Sequence, residues 1–349
     1  MNYNYNPNGY IPNGGPYFPN TPPNPFVIRD MQKKTDKKTL RKMGNLFGLA
    51  IILYLAFSVI VSVILQIIPG RIINMEFFWT DSIGYNCFNV ISSVFFLGGA
   101  FGIVHFTMRG MKISPHLPLG TTYNGNAATC LVMIVTPLLM FCTIVINFVS
   151  VAFQNLSGIE FSSSMDDTPK LQNGFEFFIS FIAIAVTPAI IEELAVRGVV
   201  LQPLRRYGDK FAIVISAMLF SLLHGNMEQI PYTFTAGLML GYVAIATGSL
   251  WPGIIIHFIN NTISTAILGA SDLFGERASN FTAIGCCACL FIMLLIGILK
   301  YVKLNYKAEF KKGVTTLGTG EKFGAVFLNP LMIIATLIMI WVISTYISS

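Results

Sequence analysis

The stretch FISFIAIAVTPAIIEELAVRGVVLQPLRR, Phe178 to Arg206, decides the fold. From Phe178 to Leu204 it is apolar throughout except for a few small polar residues and three charges, Glu192, Glu193 and Arg197. A soluble helix carries charges on its wet face at almost no cost. A helix in lipid must pair them, neutralise them or aim them at a polar cavity. Runs of this kind recur along the chain, and about 20 apolar residues suffice for a helix to cross a bilayer. The chain is 54% hydrophobic and 11% charged, with a mean hydropathy of +0.67. Ordinary globular domains carry about twice that share of charge. The reading is an all-α, polytopic transmembrane helical bundle of about eight or nine spans. Continuous apolar runs exclude a β-barrel, whose strands alternate.

Nine spans are expected, at 44–68, 84–108, 127–153, 176–204, 211–228, 230–248, 251–270, 281–300 and 324–346. Arg29 to Lys42, Arg109 and Lys112, Arg205 to Lys210, and Lys300 to Lys322 then fall on one side. The opposite loops hold mostly acids, such as Glu160, Asp166, Asp167 and Asp272. Basic loops stay in the cytoplasm, so the N-terminus is placed there and the C-terminus outside. The net charge of +6 is thereby read as topology rather than as a nucleic-acid surface.

The chain divides into four parts. Residues 1–43 hold an Asn/Pro/Tyr-rich tail, expected to be disordered to about residue 28, and a basic juxtamembrane segment. N-terminal transmembrane helices occupy 44–153, a catalytic helical core 175–270, and C-terminal transmembrane helices 271–349. The six cysteines lie in apolar stretches without disulfide or zinc-finger spacing, so they read as packing residues. No soluble catalytic domain is present, and any chemistry belongs to the bundle.

The polar residues inside the spans share a depth. Glu192 and Glu193 precede Arg205 by about 13 residues, or roughly 20 Å along a helix. Arg197 follows Glu193 by four residues, the favourable order for an ion pair, which leaves Glu192 without a local partner. His224 in FSLLHG and His257 in HFINN, with Asn261 one turn on, lie roughly 14–20 Å from the same side. A carboxylate and an imidazole can deprotonate a water. A second imidazole and an amide can hold a developing oxyanion. Two histidines and a carboxylate can also bind a divalent metal, although the HExxH motif of soluble zinc proteases is absent. Phe220 is expected to pack His224, Gly237 and Gly241 to bring two helices close, and Pro188 to loosen its helix. His105 and His116 read as interfacial or loop residues.

EELAVR (Glu192–Arg197), FSLLH (Phe220–His224) and HFINN (His257–Asn261) form the ordered motifs EExxxR, FxxxH and HxxxN. In these the chain resembles the CPBP family, the CAAX protease and bacteriocin-processing or Abi family of intramembrane metalloproteases, which includes Rce1-type CAAX prenyl endopeptidases. The resemblance covers roughly residues 175–270. It implies an intramembrane endopeptidase in the cell membrane, acting on a membrane-embedded or lipid-anchored peptide or protein, and its cavity is expected to face the cytoplasm. Glu192 would be the general base, with His224 beside it on the water. His257 and Asn261 would stabilise the oxyanion, and Glu193 and Arg197 would support the site. The family description implies a divalent metal such as zinc, held by Glu192, His224 and His257. The same residues also suffice for a glutamate-activated water without one.

Two other functions fit buried acids and imidazoles. A proton-coupled transporter uses such groups at mid-membrane, but no internal repeat of the kind common in transporters is evident. A non-catalytic scaffold, or an immunity or regulatory protein of the same fold, would have no need of the intact motifs.

Overall fold

The computed structural model describes residues 25–67, 80–113, 117–162 and 168–348. Most of the N-terminal tail, His116, Asp166 and Asp167 lie outside the described residues. The long helices are α1 (Pro25–Ile67), α2 (Ser82–Gly110), α3 (Gly125–Ser157), α4 (Gly174–Tyr207), α6 (Ile230–Thr247), α7 (Trp251–Phe274) and α8 (Glu276–Leu304). These seven are long and apolar enough to cross a membrane. Between α4 and α6 lies the shorter α5 (Asp209–Leu223), and α9 (Thr319–Phe327) and α10 (Pro330–Ser344) close the chain. Two short strands, β1 (Glu160–Phe161) and β2 (Ile347–Ser348), pair antiparallel at one end of the bundle. The chain is a polytopic helical membrane protein.

The segments differ from the expected spans in three places. The basic residues Arg29 to Lys42 belong to α1, which runs unbroken from Pro25. That stretch contains no glycine or proline after Pro25, Lys34 pairs with Asp30 one turn away, and buried Asp36 anchors it through Arg206 at 3.0 Å. The span expected at 211–228 is a 15-residue helix that stops at Leu223. Gly225 beyond it sits at φ +61, outside helical geometry. The span expected at 324–346 is broken, with α9 and α10 meeting at 75°. Pro330 opens α10, and Asn329 donates back to the carbonyls of Ala325 and Val326 that end α9.

The bundle has two chemically distinct ends. At one, the α4–α5 turn meets the chain before α9. Asp209 N–H donates to Lys311 O, Val314 N–H to Arg206 O and Lys322 Nζ to Tyr207 O. The α2–α3 loop meets the α6–α7 turn there through Tyr123 N–H to Thr247 O and Ser249 Oγ to Gly120 O. This is the basic end. At the other, β1 pairs with β2, Asn226 Nδ2 donates to Ser162 O, and Leu171 N–H donates to Asp272.

Close packing depends on small residues. A methyl group at Gly44 or Gly48 of α1 would run into the backbone of Val326 or Leu331. One at Gly237 of α6 would stand 2.8 Å from both Cα and Cβ of Ala217 in α5. The Gly237/Gly241 pattern therefore seats α6 against α5, as small residues do in membrane bundles.

Candidate active site

The α4 helix changes pitch on both sides of its acidic pair. Ile182–Val186 and Leu194–Leu201 are wound as π-helix around the α-helical turn Thr187–Glu193. Wide turns of this kind commonly mark functional sites. Pro188 opens the central turn. It has no N–H for the carbonyl four residues before it, that of Ile184. Asn261 of α7 supplies the missing donor, its Nδ2 lying 3.0 Å from Ile184 O. The proline break thus ties α7 to the helix that carries the glutamates.

Glu193 and Arg197 are fully buried and joined, Arg197 Nη1 to Glu193 Oε1, at 2.9 Å. The guanidinium also stands 4.3 Å over the Phe220 ring, and Nη2 reaches Gly237 O at 3.4 Å. Glu193 Oε1 accepts a second hydrogen bond from His257 Nδ1 at 3.2 Å. A carboxylate only accepts, so this contact places a proton on Nδ1 of His257 and turns Nε2 toward Glu192, whose Oε2 is 3.9 Å away. His224 is oriented in the same way. Its Nδ1 donates to Phe220 O at 2.8 Å, and neutral imidazole then offers Nε2 as an acceptor. Phe220 meets both rings edge-on, with centroids 4.8 Å from His224 and 6.0 Å from His257.

Glu192, His224, His257 and Asn261 line one open cavity of about 460 Å³. That lies within the size range of ligand pockets, about 300–1,000 Å³. Glu193 and Arg197 stand behind it as a buried brace. The expected residues therefore come together in two layers: four facing the cavity, and two holding His257 and Phe220 in place. The π turns and the Asn261–Ile184 tie had no sequence signal beyond Pro188 itself.

Further polar groups reach the cavity that the motifs did not name, among them Asn89, Asn147, Glu228, Tyr232, Asn260 and Ser264. Those on α7 had a signal, since His257, Asn261 and Ser264 are spaced i, i+4, i+7 along one helix face. Asn89 and Asn147 come from helices outside the motifs and had none. Glu228 has one buried carboxylate oxygen without a hydrogen-bond partner, and among the described residues no lysine or arginine lines the cavity.

Both candidate ligand histidines are held through Nδ1 to an acceptor, as metal-binding histidines usually are. Even so, among the described residues no group of three or more His, Cys, Asp or Glu side chains is placed to hold a metal ion. Glu192, His224 and His257 share the cavity without converging on one point.

No curated protein and no solved structure matches the chain significantly. Residues 174–263 match the family model described as type II CAAX prenyl endopeptidase Rce1-like. That segment begins where α4 begins, ends in α7 just beyond Asn261, and contains every motif residue placed above. Over residues 174–263, about a quarter of its length, the chain is similar to the type II CAAX prenyl endopeptidase Rce1-like proteins.

Proposed function

We propose that the chain is an intramembrane endopeptidase that hydrolyses a peptide bond of a membrane-embedded or lipid-anchored protein or peptide in the cell membrane. The observation that supports this most is the meeting of Glu192, His224, His257 and Asn261, from α4, the end of α5 and α7, on one cavity. The Rce1-like match supports the reaction class.

In the mechanism, Glu192 takes a proton from water, and His224 Nε2 accepts a hydrogen bond that orients the same water. The hydroxide so formed adds to the scissile carbonyl carbon. The carbonyl oxygen becomes an oxyanion, held by the second N–H of the Asn261 amide and by His257. To donate to it through Nε2, His257 must carry a proton on each ring nitrogen, with Glu193 balancing the charge at Nδ1. Collapse of the tetrahedral species expels the amine, which takes the proton from Glu192. General base catalysis of this type contributes about 10²–10⁴-fold, and an oxyanion donor about 10²–10³-fold. If Glu192, His224 and His257 drew together on a divalent metal, it would polarise the water. The steps above use only the protein's own groups.

A non-catalytic scaffold has one feature in its favour, the exposed rim at residues 155–158 beside β1. The complete motif set makes it the second reading. The two separate on Glu192→Gln: the peptidase loses new peptide termini in a membrane extract, whereas a scaffold keeps its partners.

A further inference from the structure

The cavity occupies one half of the bundle. From the basic end, Glu192 lies about 13 residues before Arg205 in α4, roughly 20 Å deep. Glu228 follows the whole length of α5, roughly 22 Å deep, and Asn147 is about 22 residues into α3, roughly 33 Å deep. His257 is the shallowest group, about 14 Å from the turn at Gly248. Nearer the basic end the Glu193–Arg197 pair, Leu201, Leu204 and Leu250 are all buried, and a smaller cavity of about 190 Å³ that shares Glu192 and His224 reaches only as far as Val196 of α4.

Toward the other end the wall is irregular backbone. Residues 225–229 link α5 to α6 without helix. Non-helical backbone at membrane depth persists only where protein buries it or water reaches it. Glu228 in this link lines the cavity and carries an unpartnered carboxylate oxygen. The C-terminal segment lies against residues 225 and 226 of the same link. Met339 and Val342 pack against Gly225, Asn226 donates to Ser162 O, and Ser162 N–H donates to Tyr346 O.

The strongly basic loops lie at the opposite end, and basic loops stay in the cytoplasm. We infer that the cavity is entered from the extracytoplasmic face, not from the cytoplasmic edge of the membrane. This rests on the endopeptidase reading for its consequence: the substrate is an extracytoplasmic or outer-leaflet segment of a membrane protein, or an exported peptide, rather than a cytoplasmic C-terminal tail. It reverses the expectation of a cavity that faces the cytoplasm.

The test needs no catalysis, so it can fail while the peptidase reading stands. The full chain is expressed in a bacterial host with either alkaline phosphatase or green fluorescent protein fused after Ser349. The first is active only outside the cytoplasm and the second fluoresces only inside. Because the C-terminus lies beside the Glu228 link, the fusions report the side of the cavity mouth. Expected are an active phosphatase fusion and a dark fluorescent one. The reverse pattern overturns the inference. A second arm compares Glu228→Cys and Lys311→Cys with the parent chain, using a membrane-impermeant maleimide on intact spheroplasts. Glu228→Cys should label several-fold above the parent before lysis, and Lys311→Cys only after it. Labelling of Glu228→Cys only after lysis, or not until the protein is unfolded, overturns the inference as well.

Discussion

Removing the cation of the buried pair gives a quantitative handle on the site's support. In Arg197→Met the side-chain volume is largely kept, while Glu193 loses its cationic partner at 2.9 Å in a fully buried position and keeps only the hydrogen bond from His257 Nδ1. Orphaning a buried charge costs about 3–5 kcal/mol. The lost stacking on Phe220 adds about 1–2 kcal/mol. Glu193→Gln/Arg197→Met removes the orphaned charge too, and an apolar or neutral replacement of a whole buried pair is often tolerated. The double variant should therefore be more stable than Arg197→Met alone, by about 2 kcal/mol or more. The assay is equilibrium unfolding in mixed micelles, run as a double-mutant cycle. If the double variant is as unstable as the sum of the two singles, Glu193 and Arg197 do not interact, and the buried brace does not exist. Proteolytic activity of the double variant should stay low even where stability returns, because a neutral amide in place of the Glu193 carboxylate no longer balances charge at His257 Nδ1.

Other outcomes follow from the same geometry. Asn261→Ala should cost about 1–3 kcal/mol by leaving the Ile184 carbonyl unpaired, and should lower kcat through loss of an oxyanion donor; unchanged unfolding would remove the proposed tie across Pro188. Gly237→Leu should destabilise by about 1 kcal/mol or more, since its first added carbon already stands 2.8 Å from Ala217; thermal unfolding that matches wild type would deny the close α5–α6 contact. Activity should survive a chelator within about twofold, because the carboxylate and imidazoles do not converge on one point; complete loss, restored by zinc, would show that the site rearranges around a metal.

The apolar runs and the polar residues within them made most of this readable from sequence. A charge is too costly in lipid to be placed idly, so Glu192, Glu193, Arg197, His224 and His257 pointed to one another before any geometry was known. The i, i+4 spacing also marked the Glu193–Arg197 pair correctly. Less was read correctly at the ends of elements. The end of α5 had a local signal that the expected span 211–228 read past: His224, Gly225, Asn226, Glu228 and Gln229 break the apolar run, and Gly225 takes the left-handed conformation that glycine allows. The bend between α9 and α10 was hidden for a similar reason, Asn329 and Pro330 being read as part of an apolar run. Asn89 and Asn147 reach the cavity from helices that carry no motif, and only packing brings them there.

The central claim is that Glu192 activates water for peptide hydrolysis, and Glu192→Gln tests it most directly. This change keeps size and shape and removes only the base. Wild type and variant, purified in detergent and shown to be equally folded by their unfolding curves, are incubated with a membrane peptide extract, and new termini are read by mass spectrometry. The account predicts cleavage products with the wild type and a loss of about 100-fold or more with Glu192→Gln. Identical products from both proteins, or none from either in the presence of folded enzyme and membrane substrates, would contradict it.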